Sequence, residues 1–529
     1  MRRSPRILGI FAIMITVLSC SGEEIGQDNT SVVAEPKLKA ITVIDAVIVL
    51  ETGGSAEVNF NVTDADYQFS ELLVQKDDGS LPEFFDVSQF KKKDNNGNYT
   101  LTLTDKGIGE EYDESVSLAI VKTNAATGNK SYVSSNTFRV RSEGPETGGV
   151  IINTGLPTVY VNTQNGVGIY SKTEYVPASM SIKGTKNLPG LEAVSCNIRG
   201  RGNTTWTWPK KPYLIKLDSK TSVMGFPKHK RWVLLANFMD RTMMRNMVSM
   251  KVSSMMTNLA WTPRCQPVEL VLNGEHKGCY LLIEQVRVDK NRVNISETDG
   301  YLFELDFHYD NPIQWKDHNI PFAIKYPDED DITQAQIDYA KNYIAEVSNV
   351  LYGSGYQDHQ NGYAKYLDVD SFIDYWIVFE VMGNHELGNP GSVYFHKDVN
   401  GKLTAGPCWD FDWGVLSFKT SPHAETGLVN GNAIWYKRLF QDPVFKNQVK
   451  ERFNELLPQL KTIPDYMEEC RTMLSASAEL NFKLWNPADD KSQNGGSIIN
   501  GDENMTFDAA VDLLKSNYNT HLQAIQSKL

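Results

Sequence analysis

From Ser142 to Val150 the chain reads SEGPETGGV, a stretch broken by glycine and proline that no helix interior or central strand absorbs. It separates two patterns that cannot share one core. Before it, from Leu38 to Arg141, alternating runs such as ITVIDAVIVLE, AEVNFNVT, YTLTLTD, SVSLAIVKT and NTFRVRS are punctuated by TGGS, KKKDNNGN and AATGNK. Strands of about 5–8 residues between Gly and Asn turns predict an all-β sandwich, Ig-like in size, over residues 38–141. No catalytic cluster falls in it, so it reads as a spacer or binding module. Residues 142–150 are the linker, and residues 151–529 form one large unit near the upper size of a single core.

That large unit changes character along its length. It opens with strand-like runs, LPTVYVNT, SMSIKGT, VSCNIRGRGN, PYLIKLD and RWVLLANF, and returns to them in PVELVLNG, KGCYLLIEQVRV and YLFELDF. Between these sets, DRTMMRNMVSMKVSSMMTNL reads as a helix capped by Asp240. Later segments are helical, including ITQAQIDYAKNYIAEVSNVLY and DSFIDYWIVFEVMGNH. The expected class is α+β, with a β-rich front half and an α-rich back half.

The N-terminus reads as an export signal. Arg2, Arg3 and Arg6 precede an apolar run from Ile7 to Leu18, too short to span a bilayer as a helix. VLSC, ending at Cys20, resembles the lipobox of bacterial lipoproteins, which makes residues 1–19 a signal peptide and Cys20 the lipidated residue. Residues 20–37 are polar and aperiodic, a flexible tether to the membrane. Glu23 and Glu24 resemble the acidic signal that sends some lipoproteins to the outer face of the outer membrane, so the expected location is the cell envelope. The net charge of −13 becomes −16 without the three leader arginines, a balance that argues against nucleic-acid binding. The other cysteines, Cys196, Cys265, Cys279, Cys408 and Cys470, are scattered without a CxxC pair and read mostly as buried thiols.

Chemistry concentrates in four stretches. GPCWDFDWG, Gly406 to Gly414, sets Asp410 and Asp412 among Trp409, Phe411 and Trp413. Read as a strand, it points both carboxylates one way and the aromatics into a core. Two like charges so close call for a cation, either a metal ion or an arginine such as Arg199, Arg201 or Arg245. Upstream, GNHELGNPGSVYF follows a long apolar helix with a polar loop holding His385, Glu386 and Asn389. A loop carboxylate and amide, followed about two dozen residues later by an aspartate, is a phosphotransferase layout.

In RGRGNTTWTWPKKPYLIKLD, strand alternation puts Arg199 and Arg201 on one face, with Lys211 and Lys216 on the strand that follows. Such a platform suits polyphosphate; the alternative is arginines paired to acidic loops and solvated lysines. Glu284, in IEQVRVDKNRV, either steadies a phosphate-binding lysine or makes a plain salt bridge. The methionines around Met239–Met256 read as core packing, and Arg241 and Arg245 as reaching a shared anion or carboxylate. There is no GxxxxGK[ST] loop and no GxSxG elbow, and HELGN lacks the second histidine of HExxH.

In order and content, RGRGNTTWTWPKKPYLIKL, WVLLANFMDRTMMRN, GCYLLIEQVRVDKNRV, GYLFELD and GPCWDFDWG resemble the CotH family of atypical protein kinases. The resemblance runs from about Leu156 to the C-terminus. It implies a divergent kinase-like domain that binds ATP and Mg²⁺ and phosphorylates protein serine or threonine. It places Lys216, with Lys211 second, on the ATP phosphates. Asp410 becomes the metal ligand beside Asp412, Glu386 stands at the base position, and Asn389 or Ser392 supplies the metal-binding polar group. Glutamate stands where active members carry aspartate. The expected function is therefore Mg·ATP-dependent phosphotransfer by an envelope lipoprotein. The alternative is a kinase-like surface protein, weak or inactive in catalysis, that binds a glycan or protein partner.

Overall fold

The computed structural model describes residues 41–44, 47–50, 54–62, 71–76, 78, 80–106, 112–123, 130–142, 152–489 and 500–529. The signal-peptide, Cys20 and tether assignments, and the linker from residue 143 onward, lie outside them. The chain divides into two compact units, Met1–Glu146 and Thr147–Leu529.

In the first unit, β1 (Ile41–Val43), β3 (Ser55–Val62), β7 (Asn98–Asp105) and β5 (Phe85–Val87) pair in that order, with β6 (Lys91–Lys92) also on β7. A second sheet runs β2 (Val47–Leu50), β10 (Phe138–Ser142), β8 (Tyr112–Thr123) and β4 (Glu71–Lys76), with β9 (Lys130–Ser134) on β8. Alternation supplies one core to both sheets. Val58, Phe60, Leu101 and Leu103 from the first meet Ile48, Val116, Leu118 and Val140 from the second.

The second unit opens with a closed barrel of β11 (Thr158–Thr163), β12 (Val176–Lys183), β13 (Leu191–Gly200), β14 (Tyr213–Thr221), β15 (His229–Leu235), β17 (Glu275–Glu284) and β16 (Cys265–Leu272). Parallel pairing of β11 with β16 closes it. Every second residue fills the interior: Ile198, Ile215, Trp232, Leu234 and Leu282 are fully buried there. The residues between them, Leu214, Val233, Leu281 and Ile283, point outward into the larger core shared with the helices. A second sheet follows in the order β19 (Gln314–Asp317), β20 (Ile320–Tyr326), β18 (Tyr301–Leu305), β21 (Val393–Lys397), β22 (Leu403–Ala405).

Helices make up most of the remainder. They are α1 (Thr204–Thr207), α2 (Arg245–Ser254), α3 (Gln334–Tyr352), α4 (Val369–Val381), α5 (Tyr436–Leu439), α6 (Pro443–Leu460), α7 (Ile463–Leu484) and α8 (Phe507–Lys528). The mixed content, with strands in front and helices behind, agrees with the expected class. From Ser371 to Val381 every residue of α4 is buried, so this apolar helix is central. Thr333 and Gln336 form a capping box on α3, and the Thr506 hydroxyl accepts the Ala509 N–H on α8.

Three local expectations need correction. Asp240 does not cap a helix beginning beside it. Its carboxylate accepts N–H groups of Thr242 and Arg245, Met243 turns left-handed at φ 54°, and α2 starts only at Arg245. Residues 406–412 form no strand, because Asp410 adopts φ 65° and breaks the extended run. Finally, β17 ends at Glu284, so the strand-like run KGCYLLIEQVRV stops short of Arg287.

Candidate functional site

The barrel, the second sheet and the loops after α4 and β22 surround one cleft of about 1160 Å³. Arg199, at the end of β13, and Arg201 just beyond it form part of one wall. Glu304 and Asp306, at the end of β18, line another. The loop after α4 brings Glu386, Asn389 and Ser392, and the segment after β22 brings Trp409, Asp410 and Asp412.

The acidic segment is held from behind by buried amides. Phe411 N–H donates to Asn246 Oδ1 at 2.8 Å, and Asn246 in turn donates to Asn237 Oδ1 at 3.1 Å. Gly414 N–H donates to Asn500 Oδ1 at 3.2 Å. The Phe411 ring packs 4.7 Å from Phe379 of α4. Trp409 and Phe411 are buried as their apolar character requires, while Trp413 joins a separate cluster with Trp208, Phe238 and Trp485. Asp410 and Asp412 therefore face the cleft from a rigid, non-strand support.

Three carboxyls converge there. Burial, then the charges of Asp410 and Asp412, hold the proton affinity of Glu386 well above the carboxylate range. Asp412 is raised by burial, then by Asp410 and Asp240; Asp410 is raised by burial and partly relieved by Arg201 and Ser392. Glu386 Oε2 is buried without a hydrogen-bond partner among the described residues. Its backbone N–H is fixed, donating to Asn384 Oδ1 at 2.9 Å.

The positive wall is built around Tyr175. Arg199 lies 5.1 Å and Arg231 5.9 Å from that ring, and Arg231 Nη1 donates to its hydroxyl. Arg199 Nε is buried and has no partner among the described residues. Arg201 lies 5.6 Å over Trp409. Acids that want a cation thus share a cleft with guanidinium groups that want an anion. This donor set fits a metal-bound polyphosphate. Among the described residues no three His, Cys, Asp or Glu side chains are spaced to hold a metal ion alone. An ion between Asp410 and Asp412 would complete its shell with phosphate oxygens and water, as Mg²⁺ does.

Of the residues singled out from sequence, Arg199, Arg201, Glu386, Asn389, Asp410 and Asp412 all line this cleft. Lys216, Lys211 and Glu284 do not. Lys216 is exposed on the outside of β14, its Nζ 6.0 Å from the Tyr175 ring. Lys211 Nζ donates to the Trp206 carbonyl at 2.8 Å. Glu284 is fully buried, accepts the Arg264 N–H at 2.9 Å and lies 4.0 Å from Arg292 Nε, which makes it the plain salt bridge. Arg245 pairs with Asp240 and Asp502, while Arg241 donates to the Met505 carbonyl and to Asn486 Oδ1.

Sequence reasoning missed Tyr175, Arg231, Glu304 and Asp306. The acids were findable, because GYLFELD embeds them in an otherwise apolar strand. Glu304 accepts the Tyr394 hydroxyl at 2.8 Å and Lys325 Nζ at 3.0 Å. Asp306 accepts the His308 N–H at 3.0 Å. Nothing local marks Tyr175, whose role comes from neighbours on other strands.

The family model described as CotH kinase protein covers residues 198–525, more than half of the chain and all of the cleft's acidic positions. No curated protein matches the sequence. The chain belongs to the CotH kinase protein family.

Proposed function

We propose that the cleft transfers the γ-phosphoryl group of ATP, bound with Mg²⁺, to a serine or threonine hydroxyl of a protein. The observation that carries this is the convergence of Glu386, Asp410 and Asp412 opposite Arg199 and Arg201 in one cleft. Mg²⁺, when bound, offsets phosphate charge and holds the donor phosphates in place. Asp410 and Asp412 would hold it, with Asn389 and Ser392 at hand. Arg199 and Arg201 take phosphate oxygens, for which a guanidinium fork is suited. Glu386 accepts the proton of the attacking hydroxyl as its oxygen bonds phosphorus and ADP leaves.

Burial and the neighbouring Asp410 and Asp412 raise the proton affinity of Glu386. A cation held by Asp410 and Asp412 would offset their charge and lower that affinity, favouring Glu386 as the base. The same raised affinity favours a second reading, binding without turnover. The leader and Cys20 support action at the cell envelope on a lipid anchor. Calorimetry with Mg·ATP on the mature chain and on Asp410→Ala, with circular dichroism as a folding control, tests the proposal. Metal-dependent binding that the variant loses is expected, together with phosphate transfer to protein. Binding without transfer would favour the second reading, and a folded wild type that binds nothing would overturn both nucleotide roles.

A further inference from the structure

Beneath the loop that carries Glu386, His521 of α8 is fully buried. Its Nε2 lies 2.5 Å from the carbonyl oxygen of Glu380, and its Nδ1 bonds the carbonyl oxygen of Ala424. Both partners are carbonyl oxygens, which only accept. A neutral imidazole has one N–H, so one ring nitrogen would turn its lone pair toward an oxygen lone pair. An imidazolium supplies both donors. The counter-charge is at hand in the Glu380 carboxylate, whose Oε1 lies 3.8 Å from Nε2.

That carboxylate accepts the N–H groups of Val429 at 2.7 Å and Asn430 at 2.8 Å, an arrangement that favours its ionised form. Burial pulls the other way, raising Glu380 to about 7 and lowering His521. The donor count decides between them, because neutral partners would leave a mismatch at the ring. Among the described residues the surroundings add no competing charge at the ring. Segment 422–430 turns backbone groups and the Asn430 amide toward the pair while its His423 and Glu425 are exposed. On α8, Asn517 and Tyr518 are bonded to the carbonyls of Leu416 and Leu460.

The pair also reaches the cleft. Asn430, held by Glu380, donates its Nδ2 to the Asn384 carbonyl at 2.8 Å, and Asn384 Oδ1 accepts the Glu386 N–H at 2.9 Å. We infer that His521 is a permanently charged positioning residue, an imidazolium paired with Glu380 that fixes Glu386 through Asn430 and Asn384. Its bearing on turnover rests on the proposed reading of Glu386 as the base.

The test uses the intact chain labelled with ¹⁵N-histidine. Both His521 ring nitrogens should resonate as protonated at neutral pH, as in an imidazolium and unlike either neutral tautomer. A neutral-tautomer pattern for His521 at pH 7 would overturn the inference. In His521→Gln and Glu380→Gln, kcat should fall on the order of 100-fold with Mg·ATP affinity unchanged, as expected for a displaced base. Backbone hydrogen exchange at 384–387 should quicken in both. A folded His521→Gln variant with full kcat and unchanged exchange would also overturn it. Should the wild type bind no Mg·ATP, the proposed function falls, while the ring signals and the exchange at 384–387 still decide the positioning. Should His521→Gln not fold, the wild-type ring signals decide alone.

Discussion

Ser392 Oγ lies 3.4 Å from Asp410 Oδ2, and both residues hold left-handed backbone, at φ 56° and φ 65°. Neither is glycine, so each bears a conformational cost that the fold sustains at the cleft. Asparagine tolerates this region better than most residues. Asp410→Asn should therefore keep the backbone, remove one of three crowded carboxyls, and melt at or above the wild-type temperature. The same variant should lose metal-dependent ATP binding. A thermal melt and a calorimetric titration on one preparation check both halves.

The crowded carboxyls also set a pH dependence. Glu386 and Asp412 hold protons more tightly when folded than the ordinary carboxyl does. The unfolded chain releases those protons first, so their contribution to stability is present below about pH 4 and is lost as pH rises through the raised values. Without divalent cations, the stability advantage of Asp412→Asn over wild type should grow from pH 5 to pH 8, values chosen to lie above the ordinary carboxyl range of about 4. Added Mg²⁺ should shrink that advantage by stabilising the wild type alone. Melting curves in chelator and in Mg²⁺ across this range provide the measurement. An advantage that shrinks with pH in chelator would contradict the coupling.

How much of this was legible beforehand depends on the range of the interaction. The barrel strands announced themselves because Ile198, Ile215 and Trp232 lie in short strand-like runs bounded by turn residues. Their closure did not, since Thr158–Val161 pairs with Glu269–Leu272 across a long stretch of chain. The acidic half of the cleft was readable because Glu386, Asp410 and Asp412 sit in short, unusual motifs. The cationic half was only partly so: Arg199 and Arg201 were found, but Lys216 was preferred for the phosphates. On β14, Leu214 and Lys216 share the outer face, yet only Leu214 lines the cleft. Which outer residue meets the cleft is fixed by sheet position, and that is not a local property.

That difference makes a clean contrast. Arg201→Met removes a charged hydrogen-bonding group from the cleft and should weaken Mg·ATP binding by about 1.5–3 kcal/mol, roughly 10- to 100-fold in Kd. Lys216→Ala should leave affinity within about twofold, in the range of an exposed side chain's neighbour effects. Titrations of both variants under one salt condition compare them. Equal losses would return the phosphate role to the lysine.

Stability should depend sharply on a group outside the cleft. Arg245 is buried between Asp240 and Asp502, donating to both, and its Nε donates to the Val415 carbonyl at 3.0 Å. Arg245→Met leaves two buried carboxylates without their cation. A loss of about 3–5 kcal/mol is expected, read as a shift in the denaturant midpoint of the second unit. Replacing all three partners with apolar residues should cost less than the single change.

Every strand of the seven-stranded barrel has a neighbour on both sides. It offers no open edge at which a foreign polypeptide adds itself as another strand. On the proposed function, an acceptor chain at the barrel wall of the cleft would therefore be read by its side chains rather than by its backbone. Selectivity at that wall would follow acceptor composition, and a change in one barrel side chain would alter it without disturbing the ladder behind.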